Sequence, residues 1–243
     1  MTSQHTVLLY GGTGRTGGRV LTQLLDRGVA VRAIVRDAAR LPDGVADHPI
    51  LTVVEADLLG LSPDELRGHL DGCDTVISCL GHTISVRGIL GPPHNLVTRA
   101  VRRTCEAIEG LQPTYPVRLV LMSSVSVNRP LRGDSRRRGG ERAYLAVIRA
   151  LTPPAKDNQA AADYLAREVG SDSRAVEWVV VRPDTLEPGD VSEYRASPET
   201  TTSLFRPDHT RMANVAHFMG ELTTHPDTWT RWRYAMPVLA DAA

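Results

Sequence analysis

Three glycines, each three residues after the last, stand near the start of the chain within residues 10–17 (YGGTGRTG). The segment follows the aliphatic run 6–9 and precedes an amphipathic stretch, a pattern that predicts a strand, a tight turn and a helix. In that order Gly11 permits the turn, Gly14 admits a pyrophosphate close to the backbone, and Gly17 lets the helix pack on the sheet. The helix N-terminus then offers N–H groups to the anion. Because the spacing is not the common Gly-x-Gly-x-x-Gly, an ordinary strand–turn–helix connection is the alternative.

An arginine follows the second predicted strand, where a dinucleotide site meets the adenosine ribose. An acidic side chain there binds the ribose 2′-hydroxyl, whereas a guanidinium accommodates a 2′-phosphate. Arg36 occupies this position, Arg40 follows one helical turn later, and Arg15 lies in the glycine segment. Asp37 stands one residue past the place expected for an acid. Each arginine alone is equally compatible with a solvated surface charge, but the three together favour NADP(H) over NAD(H).

The elements that must position these groups alternate along the chain. Apolar runs predict strands at 6–9, 29–35, 50–54, 74–80, 117–122 and 176–181, and helices are predicted at 19–27, from 62 onward, and at 95–108, 142–151 and 160–169. The runs are almost continuously apolar, as in a parallel sheet covered on both faces. The pattern predicts an α/β fold, a doubly wound and mostly parallel Rossmann sheet with helices on both faces. We expect one domain over 1–243, with a lid segment at 125–155 and a substrate-side C-terminal part at 183–243.

Composition narrows the functional classes. The 28 basic side chains balance the 28 acidic ones, so charge gives no indication of a nucleic-acid or membrane partner. Cys73, Cys79 and Cys105 are widely spaced, as is typical of reduced thiols in a cytoplasmic protein. The eight histidines show no metal-ligand spacing, so no metal is predicted. No signal peptide or membrane span is recognised, and we expect a cytoplasmic monomer or homodimer that acts on a small molecule.

Residues that follow the predicted strands are the candidate ligand contacts, because ligands of doubly wound sheets lie beyond the carboxyl ends of the strands. Asp57 is placed to accept a hydrogen bond from an adenine amino group, and Gly81 allows backbone close to a cofactor ribose. Ser123 and Ser124 fall where a nicotinamide ring or a substrate carbonyl would lie. His82 could act as an acid or base beside a substrate. Any one of these residues could also be an ordinary loop residue.

Five segments together resemble the atypical short-chain dehydrogenases/reductases: GGTGRTGG, VRDAARLPD, EADL, the strand ending in SS, and VVVRPDTL. Over nearly its whole length the chain is similar to the NAD(P)H-binding group that includes flavin reductase (biliverdin reductase B) and NmrA-like proteins. The resemblance implies a Rossmann fold, a preference for NADP(H) and hydride transfer to varied substrates. The predicted cofactor contacts are Gly11, Thr13, Gly14, Arg15, Thr16, Gly17, Arg36, Arg40, Asp57, Leu58, Cys79, Leu80, Gly81, Ser123 and Pro183.

One feature of the wider superfamily is missing. Its usual members pair a tyrosine with a lysine four residues later, and the lysine helps the phenol to exchange a proton with the substrate. Lys156 is the only lysine of this chain, and Thr152 stands four residues before it. Flavin-reducing relatives manage without the pair because reduced flavin takes a proton from solvent. Lys156 and Asp157 join the two serines as catalytic candidates, and Asn158 as a substrate contact.

The stretch 125–154 is rich in arginine and glycine. A mobile lid whose arginines and Tyr144 bind an acidic or aromatic substrate is one interpretation, and a solvated basic loop is the other. The sequence as a whole predicts an NADPH-dependent reductase that transfers hydride to a planar acceptor, such as a flavin, a quinone or a biosynthetic ketone. The alternatives are an NADP(H)-binding redox sensor without turnover, and a non-redox isomerase or dehydratase.

Overall fold

The computed structural model describes residues 5–81, 94–130, 133–134, 139–201, 203 and 205–242, without the side chains of 149 and 150. Its strands are β1 (Thr6–Tyr10), β2 (Ala30–Val35), β3 (Leu51–Glu55), β4 (Thr75–Ser78), β5 (Val117–Met122), β6 (Val176–Pro183), β7 (Thr185–Glu187), β8 (Tyr194–Ser197), β9 (His209–Arg211) and β10 (Val238–Asp241). Its helices are α1 (Arg15–Asp26), α2 (Pro63–Leu70), α3 (Leu96–Leu111), α4 (Gly139–Leu151), α5 (Pro153–Tyr164), α6 (Met212–Thr224) and α7 (Pro226–Trp232). A 3₁₀ turn covers Ala38–Arg40, and a π turn over Leu165–Val169 continues α5.

The central sheet has the strand order β3-β2-β1-β4-β5-β6-β10-β8. All neighbours in it are parallel except β10 and β8. The short strands β7 and β9 pair separately, also in parallel. The order reverses between β1 and β4, and such a reversal opens a crevice at the carboxyl ends of the strands. The predicted doubly wound α/β fold is confirmed.

Alternate residues of the central strands enter two different cores. In β1, Leu8 and Tyr10 belong to the core that holds residues of α2, α3 and α5. Val7 and Leu9 belong to the core on the other face, with residues of α1, α6 and α7. All four side chains are at most 1% exposed. Burial on both faces explains why the strand sequences are continuously apolar.

Helix boundaries follow local chemistry. The predicted start of α2 is confirmed, because the Ser62 hydroxyl accepts from the Glu65 N–H (3.2 Å) and the Glu65 carboxylate accepts from the Ser62 N–H (2.7 Å). This reciprocal capping box satisfies two N–H groups at the helix start. The prediction for 160–169 was wrong at its start, since α5 already begins at Pro153. Pro153 and Pro154 both end α4 and open α5, because proline is tolerated in a first helical turn.

The C-terminal part contributes more to the sheet than the sequence predicted. β10 extends the sheet beside β6, and β8 pairs antiparallel with β10 at the edge. Trp229 and Trp232 of α7 are buried, at 3% and 6% exposure. Phe218 of α6 meets Trp232 edge-on at a ring-centroid distance of 6.2 Å. Within the described residues, no helix has the length and apolar character that crossing a membrane would require.

Candidate functional site

The glycine segment forms a turn too tight for side chains. Gly11 has φ +76°, and a Cβ atom on it would lie 2.7 Å from the carbonyl oxygen of Cys79. A Cβ atom on Gly17 would lie 2.0 Å from the carbonyl oxygen of Gly11. The Gly14 N–H closes the turn by donating to that same carbonyl oxygen at 2.9 Å. The first strand, the turn and the start of α1 are therefore packed backbone against backbone, as predicted for Gly11 and Gly17.

The N-terminus of α1 carries no negative side chain of its own. Its N-cap residue is Gly14, no side chain caps the helix, and the first turn contains no acidic residue. Arg15 is exposed at the first helical position, and Thr16 is buried behind it. Backbone N–H groups and the positive end of the helix dipole consequently remain available to an anion.

A cleft of about 300 Å³ opens beyond the carboxyl ends of β1 to β4. It brings together ten of the predicted cofactor contacts: Gly11, Thr13, Gly14, Arg36, Arg40, Asp57, Leu58, Cys79, Leu80 and Gly81. Six further lining residues were missed by sequence reasoning: Tyr10, Ile34, Val35, Ala56, Leu59 and Leu96. Five of the six flank predicted residues in the strand-end segments, and proximity in sequence could have revealed them. Leu96 reaches the cleft from the first position of α3.

A wider groove of about 590 Å³ adjoins the cleft on the α1 side. Thr13, Gly14 and Arg40 line both spaces, so the two are neighbours. Arg15 and Arg19 line only the groove, and residues 189–191 line it as well. The predicted phosphate-binding arginines thus stand along one continuous depression.

Two acids beside this depression accept hydrogen bonds from the backbone of the 3₁₀ turn, and a third acid, Asp190, lines the groove. The Asp37 carboxylate accepts from the Ala39 N–H at 3.1 Å and caps the 3₁₀ turn. The Glu55 carboxylate accepts from the Ala38 N–H of the same turn at 3.0 Å. The described residues provide no ion pair or hydrogen bond to the exposed guanidinium groups of Arg15, Arg36 and Arg40. Three cations without a carboxylate partner therefore border the cleft and groove.

Asp57, which the sequence predicted to contact an adenine, lies in a local turn. The Asp57 carboxylate accepts from the Leu59 N–H at 3.3 Å, and the Asp57 carbonyl accepts from the Gly60 N–H at 2.8 Å. Leu58 is buried at 7% exposure and belongs to the core. Cys79 is 8% exposed, and burial raises the pKa of its thiol to about 12. A thiol with so high a pKa stays protonated, so Cys79 lines the cleft as a small apolar surface.

The two serines after β5 differ in hydrogen bonding. Ser124 Oγ bonds to Ser126 Oγ (2.6 Å) and accepts from the Ser126 N–H (3.1 Å). Ser123 is 7% exposed, and its hydroxyl has no partner among the described residues. Pro183 is buried at the end of β6, where its carbonyl accepts from the Val125 N–H at 3.0 Å. The structure therefore holds Ser123, Ser124 and Pro183 at adjacent strand ends, although none of them lines the cleft described above.

The Lys156-Asp157-Asn158 segment lies on α5. Asp157 is buried, and its carboxylate accepts from the N–H groups of Val97 (2.8 Å) and Thr98 (2.9 Å) and from the Thr98 hydroxyl (2.6 Å). It thereby caps the start of α3, a structural role that sequence reasoning missed. Lys156 is exposed and Asn158 is half-buried. Neither lines the cleft, and their predicted chemistry stays a prediction.

Where the structure describes the predicted lid segment, 125–155, its side chains contact other parts of the chain. Arg129 donates to the Gly133 carbonyl (2.8 Å) and to the Glu199 carboxylate (3.2 Å). Tyr144 on α4 is 49% exposed and contacts the Phe205 ring at a centroid distance of 5.7 Å.

His82 and the arginines at 132 and 136–138 lie outside the described residues. Within the described ranges, no three His, Cys, Asp or Glu side chains come together as a metal site would require.

Comparison with known proteins identifies a family and two partial relatives of this chain. A family model described as NAD(P)H-binding matches residues 11–226. An uncharacterised chloroplast protein of Arabidopsis thaliana is 45% identical over 73 residues, which are 30% of this chain and 26% of that protein. A 3β-hydroxysteroid dehydrogenase/Δ5→4-isomerase of Mycobacterium tuberculosis is 35% identical over 85 residues, 35% of this chain and 20% of that one. The chain thus matches only about a quarter or less of these relatives' length.

Solved structures agree over almost the whole chain. A protein of Lactobacillus casei superposes with a TM-score of 0.73 at 18% identity, covering 98% of this chain and all of that one. A proposed NADH-flavin reductase of Streptococcus pneumoniae gives 0.66 at 16% identity, covering 98% and 100% of the two chains. A short-chain dehydrogenase/reductase of Veillonella parvula gives 0.69 at 14% identity, covering 99% and 95%. At such identities the agreement establishes the Rossmann fold.

Proposed function

Because the chain belongs to the NAD(P)H-binding family, we propose that it is an NADPH-dependent reductase that transfers hydride to a planar organic acceptor. The proposed acceptor is a flavin, a quinone or a ketone of comparable shape. The observation that carries the proposal is the set of guanidinium groups of Arg15, Arg36 and Arg40 along the depression beside α1, which have no carboxylate partner among the described residues. The three guanidinium groups are exposed, so they are free to donate charge-assisted hydrogen bonds to a phosphate dianion.

The residues present fit such a cofactor. The backbone of 11–17 leaves no room for a Cβ atom at Gly17, and the uncapped start of α1 suits a pyrophosphate. Asp37, which follows Arg36 in the sequence, accepts a hydrogen bond from the 3₁₀ turn and forms no ion pair with Arg36, so that guanidinium stays available to a 2′-phosphate. When bound, a reduced nicotinamide cofactor supplies the hydride.

The chain's own residues act mainly by positioning the cofactor and the acceptor. The glycine segment and α1 hold the pyrophosphate, Arg36 and Arg40 select the 2′-phosphate, and the Asp57 turn faces the adenine. Ser123 is the member of the serine pair whose hydroxyl has no partner among the described residues, so it is assigned the hydrogen bond at the nicotinamide end. Holding donor and acceptor in contact lowers the barrier by several kcal/mol without further groups. The proton for the reduced acceptor comes from solvent.

A titration tests the cofactor half of this proposal. NADPH and NADH are titrated by calorimetry into the wild type, Arg36→Ala and Arg40→Ala. We expect each variant to lose about ten- to a hundredfold in NADPH affinity and little in NADH affinity, since a charge-assisted hydrogen bond contributes roughly 1.5–3 kcal/mol. Arg174→Ala is the matched control, because Arg174 is exposed beside the amino end of β6, at the opposite edge of the sheet. Equal affinity for the two cofactors in the wild type would refute the phosphate assignment.

A redox sensor without turnover is the second candidate. It is favoured by the missing tyrosine–lysine pair, since Lys156 is the only lysine and no tyrosine stands four residues before it. NADPH oxidation with a panel of quinones and flavins separates the two. Steady consumption that falls in Ser123→Ala supports the reductase. Tight NADPH binding with no consumption across the panel supports the sensor.

A further inference from the structure

A fully buried arginine lies at the site end of the sheet. Arg182 stands next to last in β6, and both it and Asp134 have side chains that are 0% exposed. Arg182 donates to both carboxylate oxygens of Asp134, at 2.9 and 3.2 Å. The remaining guanidinium contacts go to the carbonyls of Val127 (2.8 Å) and Met236 (2.9 Å). Burial lowers the pKa of Arg182 from its ordinary value, and the Asp134 carboxylate opposes that shift without reversing it.

This arrangement joins three chain segments beyond the sheet. Val127 belongs to the segment that follows the two serines of β5, and Met236 precedes β10. Asp134 also accepts from the Thr200 N–H at 3.5 Å and lies 3.6 Å from the Arg129 guanidinium. The segments after β5, before β10 and around 200 therefore meet at one charge pair, on the edge where ligands of this fold bind.

Backbone hydrogen bonds connect the surroundings of the Arg182–Asp134 pair to Ser123 and Ser124. The Val127 N–H donates to the Ser124 carbonyl at 3.1 Å, and the Ser123 N–H donates to the Val181 carbonyl at 2.8 Å. The serine turn is thus fixed on one side by Val181, which precedes Arg182, and on the other by Val127, which Arg182 contacts. A shift of the guanidinium would displace the turn that carries Ser123, whose hydroxyl has no partner among the described residues.

Stability alone does not explain such a pair. Replacing a buried ion pair by apolar side chains of similar volume is often neutral or stabilising, whereas removing one partner is strongly destabilising. A bidentate pair does fix geometry, because the planar guanidinium and the carboxylate allow one mutual orientation.

We propose that Arg182 and Asp134 are positioning residues, which hold the serine turn so that Ser123 meets the nicotinamide half of the bound cofactor. The inference rests on the proposed function. It predicts that the pair matters little for affinity, which the glycine segment and the distant arginines supply. The pair matters instead for how the nicotinamide end is held.

The experiment compares Arg182→Lys, Asp134→Asn and the double variant Arg182→Met/Asp134→Leu. Each is measured for thermal unfolding, for the NADPH dissociation constant by calorimetry, and for the increase in nicotinamide fluorescence on binding. Arg118→Met is the matched control, since Arg118 is a half-buried arginine on β5 that stacks on Trp229. The backbone N–H of Arg118 donates to the Asp74 carbonyl at the amino end of the sheet.

We expect the single variants to unfold at lower temperature and the double variant to regain most of that loss. All three should keep the dissociation constant within about threefold, because distant sites act independently. All three should lose at least about half of the fluorescence increase, since the residues that support a site determine its geometry. Arg118→Met should keep the full increase whatever its stability.

Several results would overturn the inference. A full fluorescence increase in the double variant, or in a folded single variant, would mean that the pair serves stability only. Loss of the increase in Arg118→Met would mean that any destabilisation abolishes the signal. If the double variant does not fold, Arg182→Lys below its unfolding midpoint provides the same readout. A wild type that binds no NADPH refutes the proposed function itself, a result distinct from these.

Discussion

A Cβ atom on Gly17 would lie 2.0 Å from the carbonyl oxygen of Gly11, closer than any real contact permits. That carbonyl also accepts the Gly14 N–H that closes the turn. The start of α1 and the end of β1 are therefore locked to each other through one backbone group. Any side chain at position 17 must displace either the turn or the helix.

We accordingly predict that Gly17→Ala lowers both stability and cofactor affinity. Overpacking of a tight contact costs about 1–3 kcal/mol, and the NADPH dissociation constant should rise by at least about tenfold as the turn moves. Urea unfolding and calorimetric titration measure the two effects. Gly68→Ala is the matched control, because a Cβ on this exposed glycine of α2 meets nothing within 4 Å. That variant should gain about 0.5–1 kcal/mol and bind NADPH normally.

The second prediction concerns Asp157. If its carboxylate caps α3, Asp157→Ala leaves the Val97 and Thr98 N–H groups without their acceptor and should lower the free energy of unfolding by about 1–3 kcal/mol. The neighbouring Lys156→Ala changes an exposed side chain and should stay within about 0.5 kcal/mol of wild type. Urea unfolding of both variants is the measurement. Unchanged stability of Asp157→Ala together with lost turnover would instead support the catalytic role predicted from the sequence.

The predictions that succeeded rest on local physics. Strands buried on both faces must be continuously apolar, so β1 to β6 could be recognised in the sequence. The capping box at Ser62 and the turn at Gly11 are likewise set by residues within a few positions of each other. The cleft followed from the rule that strand ends converge, which brought Arg36, Asp57 and Gly81 to one place.

What the sequence could not reveal depends on distant partners. The Asp157 carboxylate meets Thr98, 59 positions away, and Arg182 meets Asp134, 48 positions away. No periodicity encodes such pairs. An arginine inside an apolar strand run was nevertheless a signal for Arg182, since a buried charge needs a partner. The edge strand β8, sequence YRAS, has neither the length nor the apolar pattern that would have indicated a strand.

The third prediction concerns the thiols. Burial raises the pKa of Cys73 to about 11 and those of Cys79 and Cys105 to about 12. At pH 8 about a thousandth or less of each thiol is ionised, and the thiolate is the reactive form. Ellman's reagent should therefore detect essentially no thiol in the native protein and all three after unfolding in guanidinium chloride. Rapid reaction of one native thiol would contradict the burial, and repeating the assay with Cys79→Ser would show whether the cleft admits the reagent.

The last prediction is a dependence of stability on pH through His217. Its Nδ1 lies 2.9 Å from the Tyr194 hydroxyl, and burial, reinforced by the charge of Arg27, lowers its pKa below the ordinary value of 6.5. Glu221, 3.8 Å from Nε2, opposes this shift without reversing it. Between the lowered pKa and 6.5 the unfolded chain binds more protons than the folded one, so stability falls as the pH is reduced through this window.

Thermal unfolding at pH 7.5 and pH 5.5 measures this contribution. The midpoint of the wild type should fall more on acidification than that of His217→Gln, because the variant has no proton to take up at this position. His209→Gln is the matched control, since His209 is more exposed and pairs with a different carboxylate, that of Glu187, at 2.7 Å. A His217→Gln protein that loses as much stability as the wild type between the two pH values would show that other groups govern the acid response. If His209→Gln keeps the wild-type change in unfolding midpoint between the two pH values and His217→Gln loses it, the response belongs to the histidine that contacts Tyr194.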